Sequence, residues 1–341
     1  NGVEVLLKDN PSLQADMVVL AIGVTPDTVL AKEAGLELGI KESIVVNDRM
    51  ETSVPDIYAA GDAVQVKHYV TGNDALISLA GPANKQGRII ADNICGGDSR
   101  YLGSQGSSVI KVFDMTAATT GINETNAKKS GLEVDTVILS PMSHAGYYPG
   151  GKVMTMKVVF EKESYRLLGA QIIGYEGVDK RIDVLATAIH AGLNATQLKD
   201  LDLAYAPPYS SAKDPVNMAG FMIDNIAKGT LKQWHLEDMD KISKDKDVVL
   251  LDVRTVGEFS MGHIDGFKNI PVDELRERIS EIEKGKPVYL ICQSGLRSYI
   301  ASRILEGNGY ETYNFSGGFR FYDAVVNDCA LIERAYACGM D

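Results

Sequence analysis

"VYLICQSGLRSYIASRILEGNGY", Val288 to Tyr310, carries the information on which the fold turns. Its apolar start reads as a buried strand. It ends on Cys292, crosses four residues to Arg297, and enters a helical pattern over Leu296 to Glu306. A strand passing directly into a helix is half of an α/β unit. Around it, "VVLLDV", "PVYLIC" and "TYNF" read as short buried strands, and the apolar spacing over Val272 to Ile282 predicts a second helix. Together they mark a separate small α/β domain over residues 247–341. Thiols react as thiolates, and a strand-to-helix loop can lower a thiol's pKa, because backbone N–H groups and the helix N-terminus point at the sulfur. Ser294 and Gly295 let the loop close tightly, and Arg297 can add positive charge for an anionic sulfur species. Cys292 could instead be a small apolar residue ending a buried strand; the Gly and Arg spacing favours the reactive site.

Earlier in the chain, "MVVLAIGV" (17–24) is an apolar run stopped by Gly23, followed by "TPDT" and a short helical pattern at Val29 to Ala34. This is one strand-turn-helix unit of an α/β layer. "SIVVNDRMETSVPDIYAAGDAV" predicts short strands at Ile44 to Val46 and Ile57 to Ala59, the second running into Gly61-Asp62. "GPANKQGRIIADNICGG" places Pro82 near a first helical turn, Ile89, Ile90 and Ile94 on one stripe, and Gly96-Gly97 as a stop. From Ser107 the texture changes to longer β runs, "VIKVF", "VDTVILS", "KVMTMKVVF" and "LLGAQIIGY". Helices are predicted from Val178 to Ala191 and from Pro215 through Ile226, giving an α+β domain. The polar segment 230–246 reads as a linker with a short helix.

With 341 residues, 45% of them hydrophobic, the chain can bury two or three cores. Its net charge of -12 argues against nucleic-acid or anionic-membrane surfaces, which need clustered Lys and Arg. The four cysteines, Cys95, Cys292, Cys329 and Cys338, show neither zinc-ligand spacing nor a dense disulfide framework. No metal is expected, and a reducing cytoplasm fits. No membrane span or export signal is evident. The opening "NGVEVLLKDN" lacks an initiating Met and suggests a fragment.

"LLDVRTVGEFSMGHIDGFKNIP", "CQSGLRS" and "YNFSGGF" resemble a rhodanese domain over about residues 245 to 327. The resemblance implies that Cys292 carries a persulfide, with the backbone of Gln293, Ser294, Gly295, Leu296, Arg297 and Ser298 cradling the terminal sulfur. Asp252, Arg254, Glu258 and His263 match framework positions of that family. The related phosphatase loop is one residue longer, so four residues between Cys292 and Arg297 favour sulfur over phosphate.

In "TSVPDIYAAGDAV", small residues precede Asp62; they let a bulky ligand approach, and an Asp at a strand end can hold a ribityl hydroxyl. The following helix start can face an electron-rich ring. "VVLAIGVTPDT", "TSVPDIYAAGDA" and "LAGPANKQGR" resemble the second half of a flavin-dependent pyridine nucleotide-disulfide reductase. That implies FAD held at Gly61 and Asp62, with Ala80, Gly81, Pro82 and Ala83 near the flavin edge. It also implies a remnant of the nicotinamide-binding domain at 1–45, the C-terminal part of an FAD domain at 46–106, and a dimerisation domain at 107–229. The expected class is thus multidomain α/β and α+β: partial Rossmann-like layers, an α+β dimerisation domain and a C-terminal α/β rhodanese domain.

The fusion resembles the coenzyme A-disulfide reductase branch, whose active-site tyrosines would correspond to Tyr147 in "HAGYYPGG" and Tyr205 in "LDLAYAPPYSSAKDPVNMAG". A phenol can give a proton to a leaving thiolate; aromatic packing at a dimer interface is the alternative role. The Gly-rich FAD fingerprint, the redox cysteine and the nicotinamide loop of that family have no counterpart in this sequence. The expected function is therefore part of a homodimeric, FAD-dependent reductase that uses NADH or NADPH on coenzyme A disulfides or persulfides. Alternatives are a stand-alone sulfurtransferase on a dimerising platform, an NADH oxidase, and an interaction module with an inert rhodanese fold.

Overall fold

A computed structural model describes residues 2–8 and 10–327; Cys329 and Cys338 lie outside the described residues. The chain divides into two compact units, one of residues 1–67 and 73–104, the other of 68–72 and 105–341. Each is built differently.

In the first unit, β1 (Val3–Val5) pairs antiparallel with β2 (Leu13–Ala15), α1 spans Val29–Glu33, and β3 (Val66–Lys67) pairs with β4 (Asp74–Ala75). The apolar run at 17–24 forms no strand, and Leu20 and Ile22 are 82% and 91% exposed. An extended segment needs a neighbour for its N–H and C=O groups, and none lies beside this run among the described residues. The strands expected at Ile44 to Val46 and Ile57 to Ala59 are reduced to isolated bridges, Ile44 to Leu38 and Val64, and Tyr58 to Glu51. The helix beyond them is well formed. α2 (Ala80–Ile94) packs Ile89 and Ile90 against Met50, Val64 and Val66, and Gly96 at φ 88° ends it. Ile94, expected on the same stripe, faces solvent.

The second unit holds two sheets of five strands each. The first is antiparallel, from β5 (Ser108–Val112), β6 (Met115–Gly121), β7 (Val134–Leu139), β8 (Met154–Glu161) and β9 (Leu167–Gly174), in the order β5-β6-β9-β8-β7; α3 (Glu124–Lys129) follows β6. Over it lie α4 (Val178–His190) and α5 (Pro215–Ala227), whose Ile182, Leu185, Val216 and Ile223 join Met156, Val158, Leu168 and Ile172 in one core. Each such side chain contributes about 1.5–3 kcal/mol on burial.

The second sheet is parallel, in the order β10-β14-β13-β11-β12. Its elements are β10 (Gln233–Trp234), α6 (Met239–Ile242), β11 (Val249–Asp252), α7 (Val256–Met261), β12 (Lys268–Asn269), β13 (Val288–Ile291), α8 (Leu296–Glu306) and β14 (Thr312–Phe315). Two expectations fail here. Segment 230–246 holds the expected short helix, α6, but is more than a linker: Trp234 lies in the edge strand, 2% exposed, and donates its indole N–H to the Leu290 carbonyl at 3.3 Å. The helix expected over Val272 to Ile282 is a run of turns ending in one 3₁₀ turn, Ile279–Glu281. Tight bonds such as Leu275 N–H to Val272 O let Leu275 and Ile282 both reach the core.

Candidate functional site

Cys292 follows β13 at the carboxyl edge of the parallel sheet, where open α/β sheets gather their ligands. It is 1% exposed. Gly295, at φ 100°, caps α8 without a side chain, and the Cys292 sulfur occupies that vacancy by accepting the Gly295 N–H at 3.1 Å. The Ser298 hydroxyl reaches the same sulfur at 3.2 Å. The first N–H groups of a helix have no partners within it, so the whole turn from Gln293 to Ser298 presents donors suited to an anionic sulfur. A second strand-end turn backs the loop: Phe319 N–H donates to Cys292 O at 2.7 Å and Arg320 N–H to Gln293 O at 3.1 Å. Only glycine fits at Gly318, where φ is 69° and a Cβ would stand 2.7 Å from Gln293 backbone atoms.

The cations around the loop are paired. Both terminal nitrogens of Arg297 are held by Glu258, at 2.7 and 2.6 Å, so its charge reaches the sulfur already offset. The Arg297 guanidinium, with Thr255 backbone and hydroxyl donors, pulls the Glu258 carboxyl from 4.5 down to about 2. Arg254 is buried on Asp252 (2.7 Å), donates to Gly262 O, and stacks 3.8 Å over Phe319. His263 is exposed and lies on Phe259 with ring centroids 4.1 Å apart.

A separate cavity of about 510 Å³ is lined by His144, Lys180, Arg181, Tyr205 and Tyr209. Tyr205 and Tyr147, distant in sequence, share a hydrogen bond between hydroxyls at 2.7 Å. That bond pushes the Tyr205 phenol above its ordinary pKa. Tyr148 instead sets its ring edge-on to His144, and Tyr209 is exposed. Beneath the pair, Arg181 is buried on Asp214 at 3.0 Å and donates to the Ser143 carbonyl at 2.9 Å, clamping the two tyrosine-bearing segments together. Asp214 also caps α5 through Val216 N–H and accepts from Ser210.

In the other unit, Gly61 and Asp62 sit on a single tight turn beside the first turn of α2, with the Gly61 N–H donated to the Gln86 side chain at 2.7 Å. Asp62 is exposed and has no hydrogen-bond or ion-pair partner among the described residues. Ala80, Gly81, Pro82 and Ala83 open a helix with no side-chain cap, and space is open where a Gly81 Cβ would stand. Small residues, free helix N–H groups and an available carboxylate fit one face of a large planar cofactor such as FAD.

Comparison with known proteins agrees with these three regions. Residues 1–87 match the family described as pyridine nucleotide-disulphide oxidoreductase, 107–215 its dimerisation domain, and 235–324 a rhodanese-like domain. The structure of reduced Bacillus anthracis CoADR-RHD is 48% identical, with a TM-score of 0.92, over 95% of this chain and 58% of that one. In these three matches and in this neighbour, the chain is similar to pyridine nucleotide-disulphide oxidoreductases with a fused rhodanese domain. An NAD-dependent persulfide reductase from A. fulgidus is 42% identical with a TM-score of 0.84, over 92% of this chain and 57% of that one. Among curated relatives, an NAD(P)H sulfur oxidoreductase (CoA-dependent) of Pyrococcus furiosus is 38% identical over 63% of this chain and 48% of its own length. A coenzyme A disulfide reductase of Staphylococcus aureus is 35% identical over 65% of this chain and 50% of its own. The chain thus spans about half the length of these curated relatives.

Within the chain, the structure gathers Cys292 and Gln293 to Ser298 in one loop, and Tyr147 and Tyr205 in one pair. Sequence reasoning missed Arg181 and Asp214. The "DP" before an apolar helix is an N-cap signal that points to Asp214; an Arg inside an Ala-rich helix carries no comparable sign.

Proposed function

We propose that this chain works in a flavin-dependent NAD(P)H oxidoreductase acting on coenzyme A disulfides or persulfides, with sulfane sulfur carried on Cys292. The observation that carries the reading is the buried thiol at the β13–α8 junction, met by the Gly295 N–H and the Ser298 hydroxyl. In the transfer, the Cys292 thiolate attacks the sulfane sulfur of a donor; the donor's bond to that sulfur breaks, and the rest of the donor leaves with the electron pair, as sulfite does from thiosulfate. A thiolate acceptor such as coenzyme A then attacks the terminal sulfur, and Cys292 leaves as thiolate. Neither step changes the net oxidation state. Gln293 to Ser298 hold the terminal sulfur, and Arg297, paired with Glu258, fixes the start of α8 rather than supplying a bare charge. Reduction of the acceptor persulfide to thiol and hydrogen sulfide consumes two electrons and two protons, matched by NADH or NADPH and one proton.

Gly61, Asp62 and Ala80 to Ala83 are the residues proposed to hold FAD, which when bound supplies electron transfer from the nicotinamide to sulfur. Tyr205 and Tyr147 are proposed to give a proton to the departing thiolate. The boundaries at 1–45, 46–106 and 107–229 read from the sequence stand as part of this proposal, while the start of the rhodanese region moves from 247 back to β10 at Gln233. A homodimer in a reducing cytoplasm is further proposed. The dimerisation-domain match and the exposure of Ile110 in edge strand β5 and of Phe113 in the turn after it support the first; free Cys95 and Cys292 support the second. Light scattering should give twice the chain mass, and a monomer at micromolar concentration would contradict the dimer.

Cys292→Ser tests the main reading. Sulfur transfer from thiosulfate to coenzyme A should be lost while the far-ultraviolet circular dichroism stays unchanged; a variant that retains transfer sinks the assignment. An NADH oxidase or an inert interaction module gives Cys292 no such role.

A further inference from the structure

Strand β7 lies at one edge of the antiparallel sheet, so its outward N–H and C=O groups have no further strand to pair with. Side chains of the rhodanese region, in the same compact unit, take that edge instead. The Asp135 carboxylate meets His235 Nε2 at 3.0 Å, the Thr136 carbonyl accepts from the Gln233 side-chain amide at 2.8 Å, and the Ile138 N–H donates to the Ser316 hydroxyl at 3.0 Å. Backbone groups two residues apart on a strand turn the same way, so Thr136 and Ile138 offer an acceptor and a donor along one edge.

The three contacts differ in where they lead. Gln233 and His235 stand at β10, on the far side of the parallel sheet order from β11 and β12. Ser316, 3% exposed, directly follows β14 and opens the turn that backs the sulfur loop. Its own N–H is fixed on Trp234 O at 3.0 Å. Within the next four residues, Phe319 N–H reaches Cys292 O at 2.7 Å and Arg320 N–H reaches Gln293 O at 3.1 Å. The series ends at the sulfur, which the Gly295 N–H meets at 3.1 Å. One buried hydroxyl thus joins the edge of the antiparallel sheet to the turn that holds the backbone of Cys292 and Gln293. Donors that must stay within hydrogen-bond reach of a reacting atom lose effect when their support shifts by about 1 Å.

We propose that Ser316 is a positioning residue for sulfur transfer: through it the antiparallel sheet, outside the rhodanese region, seats the turn that holds the sulfur loop. This role rests on the Cys292 reading for its reaction, and it goes beyond that reading by giving Ile138 and Ser316 a part in the loop's geometry. Removing the Ser316 hydroxyl leaves the buried Ile138 N–H without its acceptor and loosens the turn at its start. Removing the His235 ring loosens the same sheet edge but breaks no hydrogen bond of the turn.

The test is hydrogen exchange read at single amides by mass spectrometry, beside steady-state sulfur transfer from thiosulfate to coenzyme A, for the unaltered chain, Ser316→Ala and His235→Ala. In the unaltered chain the Ile138 amide should be protected to the same order as that of Phe319, although it lies on a sheet edge. In Ser316→Ala, exchange at Phe319 and Arg320 should quicken and kcat for transfer should fall, each about threefold to tenfold, with KM for thiosulfate unchanged. His235→Ala should leave exchange at Phe319 and Arg320, and transfer, as they are in the unaltered chain. An Ile138 amide that exchanges as freely as an exposed one, a Ser316→Ala chain that keeps Phe319 and Arg320 protected, or equal slowing of transfer by His235→Ala would overturn the seating. The Ile138 measurement uses the unaltered chain, so it decides the matter even where a variant fails to fold. Exchange needs no sulfur, so its outcome stands apart from that of Cys292→Ser, which tests the sulfur reading itself.

Discussion

At the scale of single residues, Glu258 shows how the sulfur loop is held. Its carboxyl, drawn to about 2 by Arg297 and the Thr255 donors, is the depressed kind, so its contribution to stability is present above its ordinary value of 4.5. That contribution is lost as pH falls from there through about 2. Glu258→Gln mimics the protonated side chain. The difference in urea midpoint between the unaltered chain and this variant should therefore stay constant above about pH 5 and shrink on acidification below 4.5. A gap that persists unchanged to pH 2.5 would mean that Glu258 and Arg297 are not coupled in solution. The sequence showed Cys292, Gly295 and Ser298 because a thiol and its donors lie within one turn. It did not show that Glu258, 39 positions from Arg297, neutralises the arginine, because that contact is made by folding alone.

At the scale of elements, the clamp of α4 on α5 carries the tyrosine pair. Arg181 and Asp214 are 1% and 2% exposed, and removing the arginine leaves a buried carboxylate with Ser210, the α5 N–H and the more distant Lys180 ammonium, at 3.9 Å, as its remaining partners. Arg181→Ala should cost about 3–5 kcal/mol in equilibrium unfolding; a loss under about 1 kcal/mol would place the pair in the class of surface bridges. Strongly patterned elements were legible. α8 and β14 fall where the apolar runs and glycine stops put them, and α5 follows its Asp-Pro start. β6 was not, since "MTAATTG" has small side chains and gains its strand character from pairing with β5 and β9. Trp234 was missed for the same reason: one apolar residue in a polar stretch has no period, and its place is set by β14.

At the scale of the whole molecule, the order of regions was readable because each has its own texture: short α/β pieces, then long antiparallel strands, then a parallel α/β layer. What the pattern withheld is the detail that depends on neighbours, such as the exposed run at 17–24 and the bridges that replace the strands at 44–46 and 57–59. The same logic ties function to fold. The parallel sheet puts Cys292 at a strand end, α8 supplies donors, and Gly318 lets the backing turn close on the loop. The most direct measurement is mass spectrometry of the whole chain after brief exposure to thiosulfate and alkylation. The account predicts one added sulfur on the peptide that contains Cys292, discharged when coenzyme A is added before alkylation. Sulfur found on Cys95 instead, or none on any cysteine, would contradict it.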